Sequence, residues 1–198
     1  MILIGLSGYA RSGKDSIAAV LVQHYGFQRK AFADTLRNAL IALNPTLLVN
    51  GEPYPLATAV QCWGWEKLKE IAPDSRLYLQ RLGTEVGRDM LGENIWVDLT
   101  LDHESTLLND IVVTDCRFLN EARKIKSLGG FLVKVERPGV GPVNNHASDA
   151  GLDVPFDYYL INDGTLDDLN DDVAAMLLAL AERRETQYAK ALSDIGIA

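Results

Sequence analysis

An α/β fold with a mostly parallel sheet is predicted by three observations. There are five short apolar runs, helical periodicity between them, and a glycine-framed turn directly after the first run. The runs cover residues 2–6, 27–32, 111–114, 131–135 and 158–161. The third and fourth are rich in Val or Ile without strict alternation, as parallel strands covered on both faces require. Alternation of strand and helix then joins neighbouring strands through helical crossovers.

Between the first two runs, Ile17, Val20, Leu21 and His24 fall at helical spacing, and Gly26 supplies the stop. Leu36, Leu40 and Leu43 mark a second helix, with Asp34 at its start and Pro45 just past its end. A helical pattern without strand signals follows over about residues 56–108. Pro73 and Asp74 break it, and Ser75 stands where a cap for the next helix is needed. The region of about residues 46–108 is therefore predicted to be a helical insertion that contacts substrate. Residues 118–128 read as a helix stopped by Gly129 and Gly130. Thr165 with Asp168 has the capping pattern for a helix continuing through Ala181. Residues 138–155 contain three Pro, three Gly and two Asn, and they carry no helical pattern. With Arg137 at their start, they are predicted to form a lid loop over a site.

The 198 residues fit one domain, and a 47% hydrophobic content supports a sizeable core. A formal net charge of -8 argues against nucleic acid or a membrane surface as partner. A small anionic ligand is still permitted, because it feels a few local cations more than the total charge. Cys62 and Cys116 lie far apart without metal-ligand spacing, which predicts a reduced, cytoplasmic protein without structural zinc. The first apolar run is too short to span a membrane.

The turn Gly8-Tyr9-Ala10-Arg11-Ser12-Gly13-Lys14 has the G-x-x-x-x-G-K frame of a phosphate-binding loop. Its glycines let backbone N–H groups turn toward phosphate oxygens, and the following helix adds its positive dipole end. Lys14 is placed to reach the β/γ-phosphates of a nucleotide. Asp15 stands where Ser or Thr usually ligates Mg²⁺, and Ser16 follows one position later, so either is a candidate metal ligand. Asp115 closes the 111–114 run at the strand edge that faces the ligand crevice in open α/β sheets. A carboxylate there can hold Mg²⁺ or its waters, and Arg117 two residues on can bind a phosphate. A capping Asp paired with its neighbour Arg is the alternative for both.

Asp34 also follows a predicted strand, where a plain N-cap explains it slightly better than substrate binding. Arg37, on the same predicted helix, is a further candidate for the substrate. Arg81 and Arg88 are seven apart and share one face of an α-helix, so they can converge on one dianion. From spacing alone, a solvated basic stripe is the better account. His146 and Ser148 fall in the lid and receive no proton-transfer role. Trp63, Trp65 and Trp96 suit packing, or stacking on a base.

Four segments in order resemble the bacteriophage-type deoxynucleoside monophosphate kinases: GLSGYARSGKDS, RLYLQRLGTEVGRDMLGENIWVD, VVTDCRFLNEARKIKSLGGFLVKVERPG, and HASD followed by YYLINDGTLDDL. The GKD cradle alone also looks like phosphomevalonate kinase, whereas LGTEVGRD…WVD and TDCRFLNEA are far more specific. The resemblance implies a P-loop kinase fold: a five-stranded parallel sheet flanked by helices, with a helical acceptor-binding region. It implies ATP and Mg²⁺ as cofactors, with donor contacts at Gly8, Arg11, Ser12, Gly13, Lys14, Asp15 and Ser16. Acceptor-side roles are implied for Asp34, Arg88, Trp96, Asp115 and Arg117. Asn162 and Gly164 lie in a loop resembling the one that borders adenine in related kinases. The chain departs from the pattern in having no Lys or Arg between Pro138 and Asn162, and in ending HASD with Asp149. Lys14, Arg137, Arg117, Arg11 or a residue of the insertion must then meet the charge of transfer.

The expected reaction is transfer of the γ-phosphoryl group of ATP to a (deoxy)nucleoside monophosphate, with Lys14, Asp115, Arg117 and Arg137 as the catalytic set. The expected partners are small nucleotides (ATP and a dNMP), the expected place is the cytoplasm (a host's, for a phage-encoded chain), and residues after Glu185 offer a homodimer contact. The alternatives are a kinase of another small acceptor, of dephospho-coenzyme A or phosphomevalonate type, or a nucleotide-binding switch that transfers nothing. An N/TKxD-type guanine signature is absent from the sequence, which disfavours a GTPase switch.

Overall fold

The computed structural model describes residues 1–102, 108–141 and 152–194. They form two compact units, one from Met1–Lys30 with His103–Ala198 and one from Ala31–Asp102.

The first unit is organised by β1 (Leu3–Ser7), which is buried at all five residues. It pairs in parallel with β5 (Ile111–Val113) on one side and β6 (Phe131–Glu136) on the other. β2 (Gln28–Lys30) and β7 (Tyr158–Ile161) complete a sheet of order β2-β5-β1-β6-β7, all pairs parallel. All five strands fall within a residue or two of the predicted runs. Helix α1 (Lys14–Tyr25) ends at Gly26 in the left-handed conformation, as its sequence requires. Its Ile17, Ala18, Val20 and Leu21 join Leu169, Val173, Met176 and Leu180 from the C-terminal helix over Ile4, Leu6, Val133 and Val135. Gly5 alternates to the opposite face and lies against Ile125. Ile125 belongs to the helix Leu119–Ser127, labelled α6 as the sixth α-helix among the described residues.

The C-terminal helix α7 (Leu166–Asp194) starts where the capping pattern placed it. The Asp168 carboxylate accepts bonds from the Thr165 backbone N–H and hydroxyl, each at 2.7 Å, and the Asp168 N–H returns a bond to Thr165 Oγ1 at 3.3 Å. The helix runs well past Ala181, and residues 182–190 are exposed.

The second unit holds its own core of Leu40, Leu47, Val49, Leu56, Ala59, Leu68 and Ala72. It is less purely helical than predicted, because a hairpin follows α2 (Phe32–Leu43). β3 (Thr46–Val49) pairs antiparallel with β4 (Glu52–Pro55) across Asn50 and Gly51. Both turn residues have positive φ (53° and 88°), which is the two-residue turn that Asn-Gly favours. α3 (Leu56–Ile71) follows, kinked at Gly64, and then α4 (Asp74–Gln80). Ser75 is not the predicted cap. It is buried inside the first turn of α4, and its hydroxyl donates to the Leu68 carbonyl at 3.3 Å.

The helical pattern expected to continue from Ser75 changes character at Arg81, and Arg81–Leu91 is π-helical. The cause lies in α5 (Ile95–Thr100), whose Trp96 is buried. The indole Nε1 donates to the Gly83 carbonyl at 2.9 Å, diverting that carbonyl from the usual ladder. The ring covers Gly87 so closely that a Cβ there would lie 2.5–2.7 Å from indole atoms. Among the described residues, no helix is long and apolar enough to cross a membrane.

Helix propensity alone would have Gly87→Ala stabilise the fold by about 1 kcal/mol. The indole reverses that sign, and overpacking should lower stability by about 1–3 kcal/mol in urea denaturation. A stabilised variant would show that Trp96 moves aside freely.

Candidate active site

At the C-terminal end of β1 the chain turns through Gly8–Gly13 and enters α1 at Lys14. Neither framing glycine has room for a side chain. A Cβ on Gly8 would strike the Val135 carbonyl, and one on Gly13 would strike the side-chain amide of Asn162. Gly13 is also left-handed (φ 102°), as is Arg11 (φ 66°), a conformation non-glycine residues adopt only at a cost. Ser12 is buried, with its N–H donating to the Tyr9 carbonyl at 3.2 Å. Asn162, just beyond β7, donates Nδ2–H to the Ser12 carbonyl at 2.9 Å, and its own N–H to Glu136 O at 2.8 Å. The turn is thus braced from the far edge of the sheet. Gly164 is tight for a different reason, because a Cβ there would meet the Asp168 carboxyl.

Lys14 is 9% exposed and folds its side chain back over the turn. Its Nζ donates to the carbonyls of Gly8 at 2.8 Å and Tyr9 at 2.6 Å, and more weakly to Ser12 Oγ at 3.4 Å. Burial first, and then the Arg117 guanidinium, lower its pKa to about 8. Lys134 pushes in the same direction, while Asp15 and Asp115 oppose it. These five charged groups therefore share one electrostatic neighbourhood.

Asp15 sits in the first turn of α1 with its carboxylate largely in solvent, 3.9 Å from Arg29 Nη2. Ser16 is exposed beside it, and Asp115 is half-buried just past β5. Arg117 is exposed, and its backbone is fixed by a residue the sequence reading passed over. Glu121 is 3% exposed and accepts from the N–H groups of Arg117 at 2.7 Å and Phe118 at 3.0 Å. Phe118 has no polar side chain, so only the glutamate half of a capping box operates. A Glu three residues after the cap was the available signal. Arg137 borders a cavity of ≈ 270 Å³ with Tyr9, Ser12, Lys134, Pro138, Val140 and Ile161.

In the second unit, Asp34 is in the first turn of α2 rather than at its cap, which is Ala31. Its carboxylate meets Arg37 Nη1 at 3.1 Å. Arg37 also approaches Glu66 at 3.7 Å and lies 5.8 Å over the Trp65 ring. Arg81 and Arg88 do not share a face. With i→i+5 bonding, seven residues span about one and a half turns instead of two. Arg81 is exposed and paired with Glu85 at 3.3 Å, whereas Arg88 is half-buried and engaged with its surroundings. Trp96 is a packing residue under the π-helix. His146, Ser148 and Asp149 lie outside the described residues.

The family model for deoxynucleotide monophosphate kinase matches residues 67–173. A protein of Acanthamoeba polyphaga mimivirus named as a deoxynucleotide monophosphate kinase is 33% identical, over 87% of this chain and 94% of its own. This chain belongs to the deoxynucleotide monophosphate kinase family. The deoxynucleotide monophosphate kinase of Escherichia phage RB69 is 29% identical over 52% of this chain and 44% of its own. A crystal structure of shikimate kinase from Aquifex aeolicus is 14% identical, with a TM-score of 0.45 over 92% of this chain and 98% of that one. The family match opens inside α3 and includes the π-helix, Asp115, Arg117 and Arg137. The cradle at residues 8–14 precedes it and rests on its own geometry.

In this kinase-family chain, Lys14 binds a proton more weakly folded (about 8) than unfolded (10.5). Between those pH values the unfolded state holds more protons, so the Lys14 contribution to stability rises with pH across that window. In urea denaturation of the ligand-free protein, wild type should therefore gain on Lys14→Met as pH climbs from 8 to 10. A pH-independent difference would contradict the depressed pKa.

Proposed function

We propose that this chain transfers the γ-phosphoryl group of ATP to a deoxynucleoside monophosphate, giving the diphosphate and ADP. One observation carries the reading: a lysine ammonium is held over a turn whose two framing glycines admit no side chain, at the head of a helix. On binding, Lys14 Nζ exchanges two carbonyl oxygens for phosphate oxygens, and the negative charge raises its pKa again. The free N–H groups at the start of α1 face the same polyanion. The cavity beside Tyr9, Ser12 and Arg137 has space for the nucleoside end of the donor.

Asp15, Ser16 and Asp115 supply only oxygen donors, and the first two are open to solvent. That set suits Mg²⁺, which keeps several waters and binds through one or two carboxylates plus substrate phosphates. When bound, Mg²⁺ neutralises charge on the transferring phosphoryl group. Everything else falls to the chain. A monophosphate oxygen is already anionic, so no general base is required, and the work is alignment of two repelling anions. Arg117, anchored through Glu121, and Arg137 are the cations we assign to the developing charge. Asp34, Arg37 and Arg88 of the second unit are the residues we assign to the acceptor, with Arg81 and Trp96 in outer, supporting places. Cys62 and Cys116 are both free thiols, which suits a reducing cytoplasm.

The test is a coupled ADP-release assay over a panel of dNMPs and their ribose forms. Turnover should require a monophosphate, and Lys14→Ala should reduce it on the order of 10²-fold or more. Arg88→Ala should raise the KM for the monophosphate about tenfold and leave that for ATP within about twofold. ATP binding without acceptor-dependent ADP release would overturn the proposal in favour of a switch.

A further inference from the structure

We propose that Lys134 is a second polyphosphate-binding cation for the donor. The inference rests on the donor site proposed above. Lys134 is the one cation of β6, which ends on the exposed Glu136, and its neighbours Phe131, Leu132, Val133 and Val135 are buried. It pairs in register with Ser7, the last residue before the cradle, and with Tyr159 of β7. The strand therefore delivers an ammonium to the edge of the phosphate turn.

Its surroundings hold that charge without neutralising it. Nζ lies 5.6 Å from the ring centroid of Tyr9 and 5.3 Å from that of Phe156. Ring faces attract a cation but leave its hydrogen-bonding capacity available to a stronger anion. Among the described residues, Lys134 forms no salt bridge. Glu136, which also lines the cavity, is exposed and not within ion-pair distance of it. Lys134 lines the same cavity as Tyr9, Ser12 and Arg137, and Lys14 feels it as a like charge. Two mutually repelling ammonium groups beside one turn are relieved together by one polyanion. From Pro138 to Asn162 the sequence has no Lys or Arg, so that stretch cannot supply the charge. A four-carbon stem lets Nζ turn from the rings to a phosphate oxygen while β6 stays fixed.

The ammonium acts on phosphate rather than on the base, and this makes the inference separable from a packing role. Calorimetric titration of ATP, ADP and AMP with wild type, Lys134→Gln and Lys134→Arg tests it. Lys134→Gln should weaken ATP about tenfold or more, weaken ADP less, and leave AMP within about twofold, since each phosphate removed deletes part of the contact. Lys134→Arg should recover most of the ATP affinity. Unchanged ATP affinity in Lys134→Gln, or equal weakening of all three nucleotides, would overturn the assignment while wild-type binding and turnover leave the kinase reading intact. Wild type that fails to bind ATP would overturn both.

Discussion

The site depends on one steric constraint: the turn between β1 and α1 has no volume for a side chain at either framing glycine. At Gly8 the obstacle is a backbone carbonyl of β6, and at Gly13 it is the amide of Asn162. Backbone and a hydrogen-bonded amide in a buried setting do not yield as a flexible side chain would. The turn is therefore defined by β6 and by the residue just past β7, which lie on one side of β1 in the sheet, and Lys14 closes over its carbonyls. Pre-organisation of this kind removes the ordering cost a loop would otherwise meet on binding a polyanion.

Around that turn charges of both signs gather. Lys14 sits in it, Arg117 and Lys134 act on Lys14 as like charges, and Asp15 and Asp115 moderate them. A chain with a formal net charge of -8 thus still gathers cations around one turn. Electrostatics at a site follow such local placement more than the total. Glu121 belongs to the same design at one remove. Its buried carboxylate accepts the backbone N–H groups of Arg117 and Phe118, so the segment carrying Asp115 and Arg117 cannot drift.

Features set by local chemistry were legible in the sequence. The five strands, the stop at Gly26, the Thr165–Asp168 cap and the glycine-framed turn each follow from neighbours a few residues apart. The hairpin was also written locally, in Asn50-Gly51, but its strands are four residues long and were absorbed into a helical reading. Other features needed contacts that spacing does not reveal. The π-helix arises because Trp96, thirteen residues beyond Gly83, takes a carbonyl from it. Once it forms, the seven-residue logic that aligned Arg81 with Arg88 no longer applies. Ser75 and Asp34 have good capping side chains, yet both lie inside their helices. Asn162 braces a carbonyl 150 residues away, and a lone lysine in an apolar strand gives no sign that two rings await it.

The central claim is that main-chain amides of residues 8–14 and the Lys14 ammonium wrap the polyphosphate of a donor nucleotide. A crystal structure with Mg²⁺ and a non-hydrolysable ATP analogue tests it most directly. The account predicts β- and γ-phosphate oxygens within hydrogen-bonding distance of those amides, with Lys14 Nζ moved from the Gly8 and Tyr9 carbonyls onto phosphate. A nucleotide bound elsewhere, with Lys14 still seated on both carbonyls, would contradict it.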